Sequence, residues 1–152
     1  MQAYHRYGPA LRRKCERMLG NREDAEDVVQ TLFIDLLRKG RTDVDLGYLY
    51  RAATTRSLNV IRDGKRRREL LRRNLDRGVV DPGHEGRVLS VDALARLVGE
   101  LDEQGAELLV YRYCDDMTQE EIAELTGVSR KTVGKRLKRL QARVEATVGE
   151  GA

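Results

Sequence analysis

The sequence predicts an all-α fold, and three observations carry that expectation. Apolar residues recur at helical spacing through most of the chain, and no stretch alternates as a strand would. From Thr118 to Arg139 the chain reads as two short helices about a turn, followed by a basic run. The expected architecture is two small helical domains joined by a flexible linker, the second one a helix-turn-helix.

The first helix is expected from Ala3 to Leu19, ending at the turn formers Gly20 and Asn21. A second follows from Glu23 to Arg38, where Ala25, Val28, Val29, Leu32, Phe33, Leu36 and Leu37 recur at i, i+3, i+4, i+7, i+8, i+11 and i+12 as a core stripe. Lys39 to Asp45 breaks the pattern. A long helix is then expected from Leu46 to Leu75, with Gly64 as a point of interruption. Glycines, the later proline and charges mark the linker at 76–88. Beyond it come helices from Ser90 to Gly99 and from Glu103 to Cys114, and then the helix-turn-helix. The domains are therefore 1–75 and 89–148, each near the lower size limit for a self-sufficient core.

Within the helix-turn-helix, Thr118 with Glu121 forms a capping box for the first helix, and Ser129 caps the second. Ala123, Gly127 and Val133 supply the small residue, the tight turn and the inward apolar contact. At about 100° per residue, Leu137, Leu140 and Val144 share the side of Val133, while Lys131, Lys135, Lys138 and Ala142 face away. Between Ser129 and Val144 there are seven Lys or Arg and no acid. A charge run alone marks only a solvated face, but this one lies on the expected recognition helix with an apolar stripe behind it, which points to duplex DNA. Gly134 is unexplained by pattern, since glycine inside a helix costs about 1 kcal/mol relative to alanine.

The formal net charge of +4 conceals segregation. Glu23 to Asp35 holds five acids and no base, whereas Arg62 to Arg73 holds seven bases against two acids. Different faces therefore want different partners. The acidic surface of the second helix, Glu23, Asp27, Gln30, Thr31 and Asp35, suits either solvent or a basic protein groove. On the third helix, Tyr48 and Tyr50 precede Arg51, Thr54, Thr55, Asn59, Arg62, Lys65 and Arg66. Aromatic rings among bases suit unstacked nucleotides, while tyrosines at a helix start also serve as half-buried anchors.

Enzyme chemistry is not expected. The chain lacks a Gly-rich phosphate loop and a GxSxG elbow, and neither His5 nor His84 sits beside a nucleophile or ligand set. Cys15 and Cys114 are far apart and read as buried thiols of a reducing compartment, so no metal, cofactor or disulfide framework is expected. No apolar run approaches the roughly 20 residues of a membrane span, so a cytoplasmic protein without membrane insertion is expected.

Taken in order, YHRYGPALRRKCERMLGNREDAEDVVQTLF, YLYRAATTRSLNVIRDGKRRR, the linker and MTQEEIAELTGVSRKTVGKRLKRL resemble the extracytoplasmic-function sigma factors of bacterial RNA polymerase. The resemblance covers nearly the whole chain, and its most specific piece is DAEDVVQTLF at Asp24 to Phe33. It implies a non-enzymatic subunit that docks on core RNA polymerase through Asp24, Asp27, Gln30 and Thr31. It also implies that Tyr48, Tyr50, Arg51, Thr54, Thr55, Asn59, Arg62, Lys65 and Arg66 meet melted promoter DNA at the minus-10 element. Ser129, Arg130, Lys131, Thr132, Lys135, Lys138 and Arg139 are then the minus-35 contacts on duplex DNA, and a separate anti-sigma factor is an admissible further partner.

The chain departs from the family pattern in places. Thr55 and Asn59 stand where the family often shows asparagine and aspartate, so a minus-10 base preference does not carry over. A tryptophan common near the end of the second helix is replaced around Leu37, and the chain starts close to its first helix. With only a short tail after the helix-turn-helix, an in-chain regulatory domain is not expected. The rival expectation is a stand-alone helix-turn-helix regulator whose N-terminal bundle senses a ligand or dimerises.

Overall fold

The computed structural model describes residues 2–72 and 89–150, with side chains described over 2–64 and 89–147. All regular structure among the described residues is helical. In chain order the helices are α1 (Gln2–Leu19), α2 (Arg22–Arg38), α3 (Leu46–Arg72), α4 (Val91–Glu100), α5 (Glu103–Leu109), α6 (Gln119–Thr126) and α7 (Arg130–Glu150). The chain forms two compact units, Met1–Val60 and Ile61–Ala152, divided within α3. The expected linker at 76–88 lies outside the described residues.

In the first unit, α1 and α2 form a helical hairpin. Asn21 caps α2, its side-chain oxygen accepting the Asp24 N–H at 3.0 Å. Leu11, Cys15 and Met18 of α1 are buried, as are Val29, Leu32, Phe33 and Leu36 of α2. Near the open end of the hairpin, Tyr4 meets Phe33 edge-on at 5.2 Å between ring centroids. The core stripe runs on to Leu36, but Leu37, expected inside, is 54% exposed, and Ile34 is exposed as well.

α3 starts on an Asp45 cap, whose carboxylate accepts the Tyr48 N–H at 2.8 Å. It turns Leu49, Ala53, Ser57 and Leu58 inward, and an Arg56–Asp35 ion pair of 2.6 Å ties it to α2. Helical backbone continues through Gly64 without the expected interruption.

In the second unit, Leu94, Leu97 and Val98 of α4, Ala106 and Leu109 of α5, and Val133, Leu140 and Val144 of α7 are buried. Ser90 and Asp102 cap α4 and α5, each accepting a backbone N–H three residues on. The helix expected from Glu103 to Cys114 changes character at its end. After Leu109 the backbone widens into a π turn over Val110–Cys114. Its buried Tyr111 donates a hydrogen bond to Glu107 at 2.8 Å, and the Met117 N–H closes onto the Tyr111 carbonyl at 3.0 Å. Cys15 is buried as expected, whereas Cys114, at the end of this wider turn, is only half-buried.

Candidate nucleic-acid interface

The helix-turn-helix is assembled by the chemistry its sequence announces. Thr118 and Glu121 form both halves of the capping box, at 2.8 and 3.1 Å. Gly127 ends α6 at φ 74°, a left-handed backbone that a glycine adopts without steric penalty. Ser129 then caps α7, accepting the Thr132 N–H at 3.2 Å and donating to the Thr132 hydroxyl at 2.9 Å. Those two hydroxyls therefore hold the start of the helix together.

With Val133, Leu140 and Val144 buried, the opposite face of α7 projects Lys131, Lys135, Lys138 and Arg139 into solvent. Leu137, expected inside, is half-buried and lies at the edge of that face. Arg130 is exposed but engaged: its guanidinium pairs with Glu120 at 2.8 Å, and its carbonyl accepts a hydrogen bond from Gln119 at 2.8 Å.

A groove of about 590 Å³ runs beside this face, and it joins residues that the linear motif did not single out. Lys131, Lys135 and Lys138 line it from α7, while Arg112 and Tyr113 line it from the π turn and Gln119 from α6. Arg112 donates to the Met117 carbonyl at 3.0 Å, which anchors its side chain against the loop entering α6. Burial, and then the Glu145 carboxylate, raises the Tyr113 phenol pKa against the opposing Arg112 charge. Tyr113 thus stays a protonated hydrogen-bond donor at neutral pH. The groove offers cations and neutral donors to an anionic duplex edge. Arg112 and Tyr113 precede α7 by too many residues for helical periodicity to have connected them.

In the first unit, Asp24, Asp27, Gln30 and Thr31 are all exposed on α2, opposite the buried stripe. Asp35, read from sequence as part of that acidic surface, is instead committed to Arg56, whose hydrogen bond holds its carboxyl below the ordinary range.

The α3 residues divide into two groups. Tyr48, Arg51, Thr55 and Asn59 are exposed, and successive steps of three or four residues bring them to one face; Arg62 follows on the same face, half-buried. Arg41 lies over the Tyr48 ring, 4.6 Å from its centroid, and donates to its hydroxyl at 3.1 Å. This is an aromatic surface with a cation already beside it.

Thr54 does not belong to that face. It is fully buried and donates to the Tyr50 carbonyl at 2.9 Å, because it shares the inward side of α3 with Ser57 and Leu58. Tyr50 is half-buried near that side, its ring 4.7 Å from the amine of the buried Lys14. The side chains of Lys65 and Arg66 lie outside the described residues. Among the described residues, no cluster of His, Cys, Asp or Glu is arranged to hold a metal ion.

Residues 3–68 match Sigma-70 region 2, and residues 92–140 match Sigma-70, region 4. The fold is similar to that of the sigma factor RpoE, solved in complex with the anti-sigma factor NepR from Bartonella quintana. The TM-score is 0.52 at 18% identity, over 97% of this chain and 95% of that chain. Among curated proteins, no sequence matches the chain. With both sigma-70 regions present in order and the helical fold of a sigma factor around them, the chain belongs to the extracytoplasmic-function group of the sigma-70 family, whose members act in transcription initiation.

Proposed function

We propose that the two units divide the work of promoter engagement. The first docks on core RNA polymerase through Asp24, Asp27, Gln30 and Thr31 of α2, and receives unpaired minus-10 bases on the Tyr48, Arg51, Thr55 and Asn59 face of α3, which Arg62 continues along the same helix. Lys65 and Arg66 extend that basic helix by sequence. The second reads the minus-35 duplex through Ser129, Arg130, Lys131, Thr132, Lys135, Lys138 and Arg139, with Arg112 and Tyr113 contributing from the neighbouring groove. The observation that carries this reading is the exposed basic face of α7, backed by buried Val133, Leu140 and Val144.

No bond is made or broken in this mechanism. Lysine and arginine side chains displace counterions from the duplex, which gives affinity, and side chains reaching base edges give the sequence preference. Melting is favoured because a base that leaves the stack gains a new stacking partner in Tyr48, and Arg41 and Arg51 supply cations for its phosphates. The acidic α2 face gives the polymerase a complementary surface that does not compete for DNA. Work on the polymerase and chromosomal DNA places the chain in the cytoplasm. No described helix is long and apolar enough to cross a membrane.

The complex of the similar RpoE with NepR supports a separate anti-sigma factor as a further partner. The test of the division is promoter binding with and without core polymerase. Sequence-specific binding that requires core is expected; tight binding to palindromic duplex by the chain alone would replace this reading with a stand-alone regulator.

A further inference from the structure

Gly134 stands inside α7, where alanine would be the better helix former, and its backbone is not in the left-handed region that favours glycine. Space explains it instead. A Cβ at this position would lie 2.6 Å from Nε2 and 3.2 Å from Cδ of Gln119. That Nε2 donates to the Arg130 carbonyl at 2.8 Å, and the acceptor fixes which way the amide points. The Gln119 amide therefore lies against the first turn of α7, between Arg130 and Gly134.

Gln119 itself leaves α6 between the two partners of the Thr118–Glu121 capping box, so its backbone is held on both sides. The neighbouring Glu120–Arg130 ion pair joins the same two helices, but both side chains are more than half exposed, and solvent and salt weaken such a pair. The amide contact also lies at the surface, but it engages α7 at two points, the Arg130 carbonyl and the space at Gly134. Side chains on α7 reach DNA edges from fixed Cα positions, so the angle of α7 against α6 decides whether several of them arrive together.

We propose that Gln119 and Gly134 form a brace that sets the recognition helix against α6, and that both are positioning residues for promoter reading. The inference rests on the minus-35 role assigned above to α7. It gives the glycine a function at a site where helix propensity alone would select against it.

The test uses the full chain assembled with core polymerase, on a promoter duplex selected from a library randomised at the minus-35 element. Parent, Gln119→Ala, Gly134→Ala and the double variant are compared for binding, with circular dichroism melts of each. Each single change is expected to weaken binding about fivefold, the net worth of one hydrogen bond. The double change should also cost about fivefold, because both changes remove the same contact. The Gly134→Ala midpoint should not fall below the parent's, since alanine favours the helix. The loss should spread over all the bases that α7 reads.

Parental affinity in Gly134→Ala overturns the brace. So do losses that multiply to about twenty-five-fold, which would mean that the added methyl meets DNA independently of Gln119. A loss confined to one base pair overturns it too, by making Gln119 a direct contact. Failure of the minus-35 role shows differently, as a parent holoenzyme without preference among library sequences, and that result removes the brace with it.

Discussion

The exposed face of α2 allows docking to be separated from folding. Asp27 and Gln30 are exposed on one side of a helix whose other side buries Val29, Leu32, Phe33 and Leu36. Replacing Asp27 by Lys and Gln30 by Ala removes no buried atom. The helicity and melting midpoint of the variant should stay near the parent's, since surface changes of this kind usually stay within about 0.5 kcal/mol.

At an electrostatically complementary interface the same reversal costs several kcal/mol, or about two or more decades in affinity. Leu32→Ala supplies the contrast. Leu32 is 2% exposed, and truncating a buried leucine costs about 2 to 5 kcal/mol through lost burial and the cavity left behind. A unit of about 60 residues holds roughly 3 to 9 kcal/mol of stability in total, so this loss is about a fifth of it or more. At roughly 8 °C per kcal/mol for so small a unit, the midpoint should fall by about 15 °C or more. Pull-down on core polymerase, paired with circular dichroism melts, reads both quantities. A charge-reversed variant that keeps parental affinity for core would show α2 to be a solvated acidic face, and the docking assignment would be wrong.

Lys135→Ala should reduce the salt dependence of promoter binding by a slope of about 0.9 if it removes one phosphate contact, or cost about 1 to 3 kcal/mol at one minus-35 position if it removes a base contact; a salt series with holoenzyme distinguishes them. Tyr48→Ala and Asn59→Ala should impair transcription from duplex templates and recover on pre-melted ones, whereas equal defects on both templates would contradict a strand-opening role. Thr54→Val and Tyr50→Ala should first show themselves in the melting curve, because the Thr54 hydroxyl is buried on the Tyr50 carbonyl and the Tyr50 ring packs beside Lys14. The Arg56 hydrogen bond lowers the Asp35 pKa in the folded chain, so the unfolded chain takes up this proton at the higher pH. Its contribution is complete above about pH 3.9 and is lost as pH falls through the lower folded value. Asp35→Asn should flatten that part of an acid titration of stability, and an unchanged profile would mean that the pair does not hold α2 to α3.

The sequence by itself determined the helical class, the positions of the helices and the helix-turn-helix. These depend on local chemistry: apolar spacing at the helical period, the Thr118–Glu121 box, the left-handed Gly127 and the Ser129 cap all act within a few residues of themselves. It also separated the two faces of α2 and α7, because an unbroken helix carries its inside and outside in its periodicity. Tertiary structure decided what depends on a second element. Leu37 is exposed although the spacing of the stripe includes it, and Thr54 is buried because the inward side of α3 includes it. Asp35 leaves the acidic surface because Arg56 reaches it from another helix. Arg112 and Tyr113 join the basic groove across a π turn that no period describes. Gly134 looked like a defect in a helical pattern, and only the arrival of Gln119 from α6 gives its missing side chain a physical reason: a contact between residues distant in sequence leaves no mark in the spacing of either.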